Sequence, residues 1–294
     1  MNPNPVLAKL GFSPTDRLAI IHADDIGMCQ ASLQAFQDLW ENEALTSGSI
    51  MVPCPWFPAA AAMYRQNPHM DLGVHLVLTS EWDLYRWRPL TAAVSGSSLV
   101  DEQGFFPRTE TEIQAQADPA EAEAELLAQV ERALAFGLDP THIDTHMGAV
   151  AHPRFISAYI RLASRFRVPP MTPRGDAAVF QSLGMDAETS AFLEAFTAQL
   201  EEQGFPLVDL ITGLPLEQPD GQLELAKKML AELPPGLTHF IIHPSIDTPE
   251  LRAIAPDWPS RVANYATFMR QELRDFIKSE GIHPIGYRQL RDLL

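Results

Sequence analysis

Four short segments hold most of the residues in this 294-residue chain that could do chemistry. They read His22-Ala23-Asp24-Asp25-Ile26-Gly27, Gly73-Val74-His75-Leu76, Thr141-His142-Ile143-Asp144-Thr145-His146 and His243-Pro244-Ser245. Aspartate and histidine are ligand types for a divalent metal such as Zn, Mn, Fe, Ni or Co, whereas Mg prefers all-oxygen coordination. Each segment alone has an ordinary reading. Asp24 and Asp25 could cap a helix, although charges straight after a fully apolar run need partners. His75 alone fits a hydrogen-bonded core histidine. In the third segment a strand period of two puts His142, Asp144 and His146 on one face, where they make a poor apolar core. His69, His152 and His239 read as surface or structural residues. Taken together the four segments favour a metal site over the ordinary readings.

The elements that must position these residues alternate. Apolar runs at Leu18 to Ala23, Ser47 to Val52, Leu72 to Leu78, Thr141 to Thr145, Val168 to Met171, Leu207 to Ile211, Leu237 to Ile242 and His283 to Ile285 read as strands. Between them, helical spacing covers Gln30 to Glu43, Phe57 to Gln66, Pro119 to Phe136, Arg154 to Phe166, Thr189 to Glu202 and Leu223 to Leu233. It resumes at Arg261 to Ser279 and Arg288 to Leu294. Strands alternating with helices imply parallel pairing through crossovers. The expectation is a single domain over residues 1–294, a distorted (β/α) barrel of seven or eight parallel strands. A long loop at about 79–118 interrupts it. An open doubly wound sheet is the alternative, and no Gly-rich phosphate loop follows the first strand to support its nucleotide-binding version. In a parallel barrel the four segments fall at the strand ends that converge on the catalytic face.

The formal charge of -17 disfavours nucleic acid and anionic membranes as partners. Two cysteines, Cys29 and Cys54, exclude a disulfide framework. No signal peptide or membrane-spanning run is visible, so a cytoplasmic location is expected. A homodimer is the default expectation for a soluble enzyme, without a residue that points to it.

The four segments, in this order, resemble the YdjC-like family of carbohydrate deacetylases, which includes the chitooligosaccharide deacetylases. That family shows an Asn-Ala-Asp-Asp-Phe-Gly type start, a Gly-x-His-x-x-Leu segment, a Thr-His-x-Asp-Ser-His segment and a late His-Pro. The resemblance implies a metal-dependent hydrolase that removes an acetyl group from an N-acetylated sugar or short oligosaccharide. It implies one divalent cation (Mg, Zn or a similar transition metal) held by Asp25, His75 and His146, with Asp24 as general base and His243 as candidate acid. Three departures stand out: Met147-Gly148-Ala149 where the family often has further histidines, Ile26 for Phe, and His22 for Asn.

Asp144 is a candidate to fix the tautomer of a ligand histidine, or simply a strand-end residue bonding backbone. The segment from Glu81 to Arg88 sets Trp82, Tyr85 and Trp87 among charges. Aromatic faces suit sugar rings, and the same residues could equally anchor the loop or form a subunit interface. Rival functions are a phosphoesterase or sugar isomerase on the same barrel, with Arg86, Arg88 and Arg174 within reach, or a non-catalytic sugar-binding barrel.

Overall fold

The computed structural model describes residues 3–91, 96–182 and 186–294. After a short helix α1 (Pro5–Lys9), strand β1 (Arg17–Ile26) leads to α2 (Gln30–Glu41), β2 (Ser47–Ile50), α3 (Phe57–Gln66) and β3 (Leu72–Leu76). A long connection containing α4 (Glu110–Gln116) reaches α5 (Pro119–Ala135) and β4 (Ile143–Thr145), which runs straight into a 3₁₀ turn at His146–Ala151. Helices α6 (Ile156–Phe166), α7 (Ala177–Ser182) and α8 (Ala187–Glu202) precede β5 (Leu210–Gly213), α9 (Gln222–Ala231) and β6 (Gly236–Ile242). The chain ends with α10 (Pro249–Ile254), α11 (Trp258–Phe268), α12 (Gln271–Ser279), β7 (Ile282–Pro284) and α13 (Tyr287–Arg291).

All strand pairs are parallel, in the order β4-β3-β2-β1-β6-β5. The two outer strands are joined through the segment around 170–173, where Ile143 bridges Pro170 and Pro173 bridges Val208. The sheet therefore curls into a distorted barrel. β7 is wedged against the start of β1, pairing with Arg17 to Ala19. β1 is buried along nearly its whole length, as a strand covered on both faces must be. Packed helices cover the outside. α2 buries Ala31, Ala35, Phe36 and Leu39, and α5 buries Leu126, Val130 and Ala133, both at helical spacing.

Three expectations need correction. The connection at 79–118 is not wholly irregular: Thr109 and Glu112 form a capping box that starts α4. Ile113 is that helix's one buried apolar residue, too little for periodicity to reveal. The long helix expected from Arg261 to Ser279 is two helices. Phe268 and Leu273 are both buried, but a spacing of five does not keep one helical face, and extended Arg270 resets the phase. Val168 to Met171 forms one isolated bridge, at Pro170, instead of a continuous strand. Ala92, Ala93, Val94 and Ser95 of the long connection lie outside the described residues. Among the described residues no helix is long and apolar enough to cross a membrane.

Candidate metal centre

Strand alternation would send Asp24 and Asp25 to opposite sides of the sheet. The structure turns both inward. Between Ala23 and Ile26 β1 gains one residue over β2, a β-bulge. Asp25 there takes the left-handed conformation, φ 62°. As a result Asp25 Oδ1 and Asp24 Oδ2 lie 3.4 and 3.9 Å from the same atom, His75 Nε2. Ser32 Oγ donates to the Asp25 carbonyl at 2.8 Å and helps hold the bend.

Three ligand atoms converge at the mouth of the barrel. Asp25 Oδ1, His75 Nε2 and His146 Nδ1 are separated by 3.1, 3.3 and 3.4 Å. Asp25 Oδ1 is buried and makes no hydrogen bond of acceptable geometry. The far nitrogens of both rings face carboxylates. His75 Nδ1 lies 2.8 Å from Asp144 Oδ1, and His146 Nε2 lies 3.1 Å from Glu81 Oε2. A carboxylate only accepts, so each of these nitrogens carries a proton, and in the neutral ring the nitrogen facing the cluster is left with a lone pair. With both rings neutral, three lone pairs would face one another without a donor, as a cation's ligands do, with carboxylates orienting the rings from behind. Separations near 3.3 Å suit ligand bonds of about 2.0–2.2 Å. The residues fit a divalent ion.

The other oxygen of Asp25 is held by Arg261, whose Nη1 donates to Oδ2 at 2.6 Å. Both residues are buried, 1% and 3% exposed. Arg261 also donates to Asp257 Oδ1 at 2.9 Å and packs over the Trp82 ring. Asp24 sits beside the cluster. Its Oδ1 accepts from His22 Nδ1 at 2.8 Å, and its Oδ2 lies 3.8 Å from His243 Nε2. The backbone N–H of His243 donates to Asn264 Oδ1 at 2.8 Å, which fixes the loop after β6.

The electrostatics agree with a cation trap. Burial opposes charge throughout, yet Arg261 and His146 hold the Asp25 carboxyl well below the usual range. Against burial, Asp144 and Asp24 hold the His75 ring well above its ordinary value. Glu81 and Asp25 likewise overcome burial and push His146 up to about 9. In Asp24 burial prevails and raises the carboxyl, and burial lowers His243. The negative potential that attracts protons to these rings would serve a divalent cation equally.

Asp24, Asp25, His75, Asp144, His146 and His243 are thus brought together. Trp82 and Trp87 of the long loop are not open to a sugar. They are 4% and 2% exposed and pack edge to face on one another. Trp87 donates from Nε1 to the Thr79 carbonyl at 2.7 Å, and its ring lies edge-on to His146. Half-buried Tyr85 donates its hydroxyl to the Met28 carbonyl at 2.6 Å. This is the anchoring arrangement, because the flat faces are spent on protein. Of the two readings of His239, surface or structural, the buried one holds: it lies inside the barrel, with Nδ1 2.9 Å from the Tyr287 hydroxyl. Glu81 and Arg261 were not foreseen. Glu81 had a signal, a carboxylate six residues beyond His75 in the connection that follows its strand. Arg261 had none, since an arginine within a helical stretch is ordinary.

Comparison with known proteins places this geometry. A carbohydrate deacetylase from Thermus thermophilus is 38% identical over 292 residues, covering 98% of this chain and 99% of that protein. A chitooligosaccharide deacetylase from Yersinia enterocolitica is 30% identical over 201 residues, covering 65% of this chain and 74% of that protein. A crystal structure from Enterococcus faecalis V583, of a protein named for cellobiose-phosphate cleavage, matches with a TM-score of 0.73 at 21% identity. It covers 94% of this chain and 99% of that one, a likeness of fold. The family model described as YdjC-like protein matches residues 18–279, and the chain belongs to the YdjC-like family.

Proposed function

We propose that this chain is a metal-dependent hydrolase that removes the acetyl group from an N-acetylated sugar, releasing acetate and an amine. The observation that carries the reading is the convergence of Asp25 Oδ1, His75 Nε2 and His146 Nδ1 beside a second carboxylate and a third histidine. The names of the relatives supply the substrate class. Asp25, His75 and His146 would hold the ion, and one oxygen with two imidazole nitrogens suits Zn, Mn, Fe, Co or Ni better than Mg. When bound, such an ion supplies Lewis-acid polarisation of the acyl carbonyl and lowers the pKa of water.

The chain's own residues then handle the protons. Asp24 Oδ2 stands 3.9 Å from His75 Nε2 and 3.8 Å from His243 Nε2, too far for direct hydrogen bonds. Asp24 Oδ2 is therefore free to accept the proton of an attacking water as the water oxygen bonds to the acyl carbon. His243 delivers a proton to the nitrogen as the C–N bond breaks. Positioned acid–base catalysis of this kind is worth about 10²–10⁴-fold. A phosphoesterase finds little support. Arg86 is engaged with Asp101 and the Phe106 carbonyl, and Arg174 meets Asp209 beside the first residues of β6, at the opposite end of the barrel.

The test is acetate release from N-acetylglucosamine and its diacetylated dimer, using chelator-treated protein and added divalent metals. Metal-dependent release is expected. No release with a stoichiometric ion bound would overturn the amino-sugar reading while leaving the metal site.

A further inference from the structure

We infer that His22 is a positioning residue that aims the Asp24 carboxylate. The inference rests on the reading of Asp24 as general base. Among the described residues, His22 Nδ1 is the one hydrogen-bond partner of the Asp24 carboxylate, at 2.8 Å from Oδ1. An Asp carboxylate otherwise turns in a broad torsional well. Fixing Oδ1 directs Oδ2 toward His75 Nε2 and His243 Nε2, where the proposed base must act.

The tautomer follows from the partners. A carboxylate accepts, so His22 Nδ1 carries the proton, and in the neutral ring Nε2 is an acceptor. Burial disfavours the charged ring and lowers His22 well below its ordinary value. His22 Nε2 faces His142 Nε2 at 2.9 Å, with Asp144 Oδ2 at 3.5 Å from the same atom. His142 Nδ1 lies 3.0 Å from Thr141 Oγ1, which gives its one hydroxyl proton to Asp71 Oδ1 at 2.5 Å and so accepts from His142. Packing fixes the ring planes: His142 stacks on Tyr287 with centroids 3.9 Å apart, and His239 lies 4.6 Å from His22. Gly73 leaves the space, since a Cβ there would come within 2.5 Å of the His142 ring.

His22→Asn and His22→Leu test the inference as a pair. Both remove the same ring and leave side chains of similar size, and only Asn keeps an N–H for Asp24. With metal-loaded protein and the diacetylated N-acetylglucosamine dimer, His22→Leu should show kcat about 10–100-fold below His22→Asn. KM, bound metal and melting temperature should match between the two. In an Asp24→Asn background the two should be equally slow, because His22 acts through Asp24. Equal kcat with Asp24 present, or the same difference with Asp24 replaced, would overturn the positioning role. Wild-type turnover in Asp24→Asn alone would instead bring down the reading of Asp24 itself. Whether or not the variants fold, nitrogen-15 NMR of wild-type protein should show His22 neutral and protonated on Nδ1. Protonation on Nε2 alone would refute the tautomer.

Discussion

Replacing Arg261 by Met separates the electrostatics of the site from its catalysis. Arg261 and Asp25 are both buried and joined at 2.6 Å, so the discount that applies to exposed ion pairs does not apply here. Removing one partner of a buried pair leaves an uncompensated charge and costs about 3–5 kcal/mol. Asp257, the other partner of Arg261, is about one-fifth exposed and adds little. Melting entropy of about 2.1 cal/mol/K per residue gives about 0.6 kcal/mol/K for 294 residues, so the metal-free variant should melt about 5–8 °C below wild type. A divalent ion on Asp25 Oδ1 replaces the missing positive charge. With saturating metal the deficit should therefore fall to less than half, and metal should raise the variant's melting temperature more than wild type's. Scanning calorimetry on chelator-treated and zinc-saturated protein measures all four values. An unchanged melting temperature without metal, or the same deficit with and without it, would refute the assignment of Asp25 as a buried carboxylate shared between Arg261 and a cation.

Further outcomes follow from the same geometry. Asp144→Asn and Glu81→Gln should each weaken metal binding by about 10–100-fold in a chelator competition assay, because each removes the charged acceptor behind a ligand ring. Asp24→Asn should bind a full equivalent of metal and lose about 10²–10⁴-fold in turnover, and metal loss in this variant would make Asp24 a ligand. Gly73→Ala should lower stability by about 1–3 kcal/mol in denaturant melts, since the new Cβ meets a buried ring that has no room to withdraw.

Much of this site was legible because its chemistry interrupts apolar strands. Asp24 and Asp25 follow Leu18 to Ala23, and His75 stands inside Leu72 to Leu76, so each violates the pattern that burial demands. The barrel's element order was legible for the same reason: alternating periods are local. Residues that arrive from elsewhere to complete the charge balance were not. Arg261 reaches Asp25 across 236 positions of sequence, and Glu81 reaches His146 across 65. The loop aromatics illustrate the converse error. Trp82 and Trp87 have the composition of a sugar platform, but composition does not say which side of a ring is covered, and here Arg261, His146 and one another cover them.

The adjacency of Asp24 and Asp25 shows how a local rule is broken to build the site. A regular strand can place only one of two neighbours in the barrel. The bulge and the left-handed Asp25 bring in the second, and a non-glycine residue in that region stores strain of about 1–3 kcal/mol. Aspartate is among the residues that tolerate it best. The surroundings over-determine the bend: Arg261 grips the carboxylate, Ser32 the carbonyl, and the Met28 N–H donates to that same carbonyl at 3.1 Å. What the strain secures is a division of labour. One carboxylate is fixed by a guanidinium and depressed toward permanent charge, as a ligand requires. Its neighbour is held only by a neutral imidazole and raised by burial, as the proposed general base requires. Two identical side chains at consecutive positions are thereby given opposite chemistry by what touches them, and a single backbone reversal makes both contacts possible.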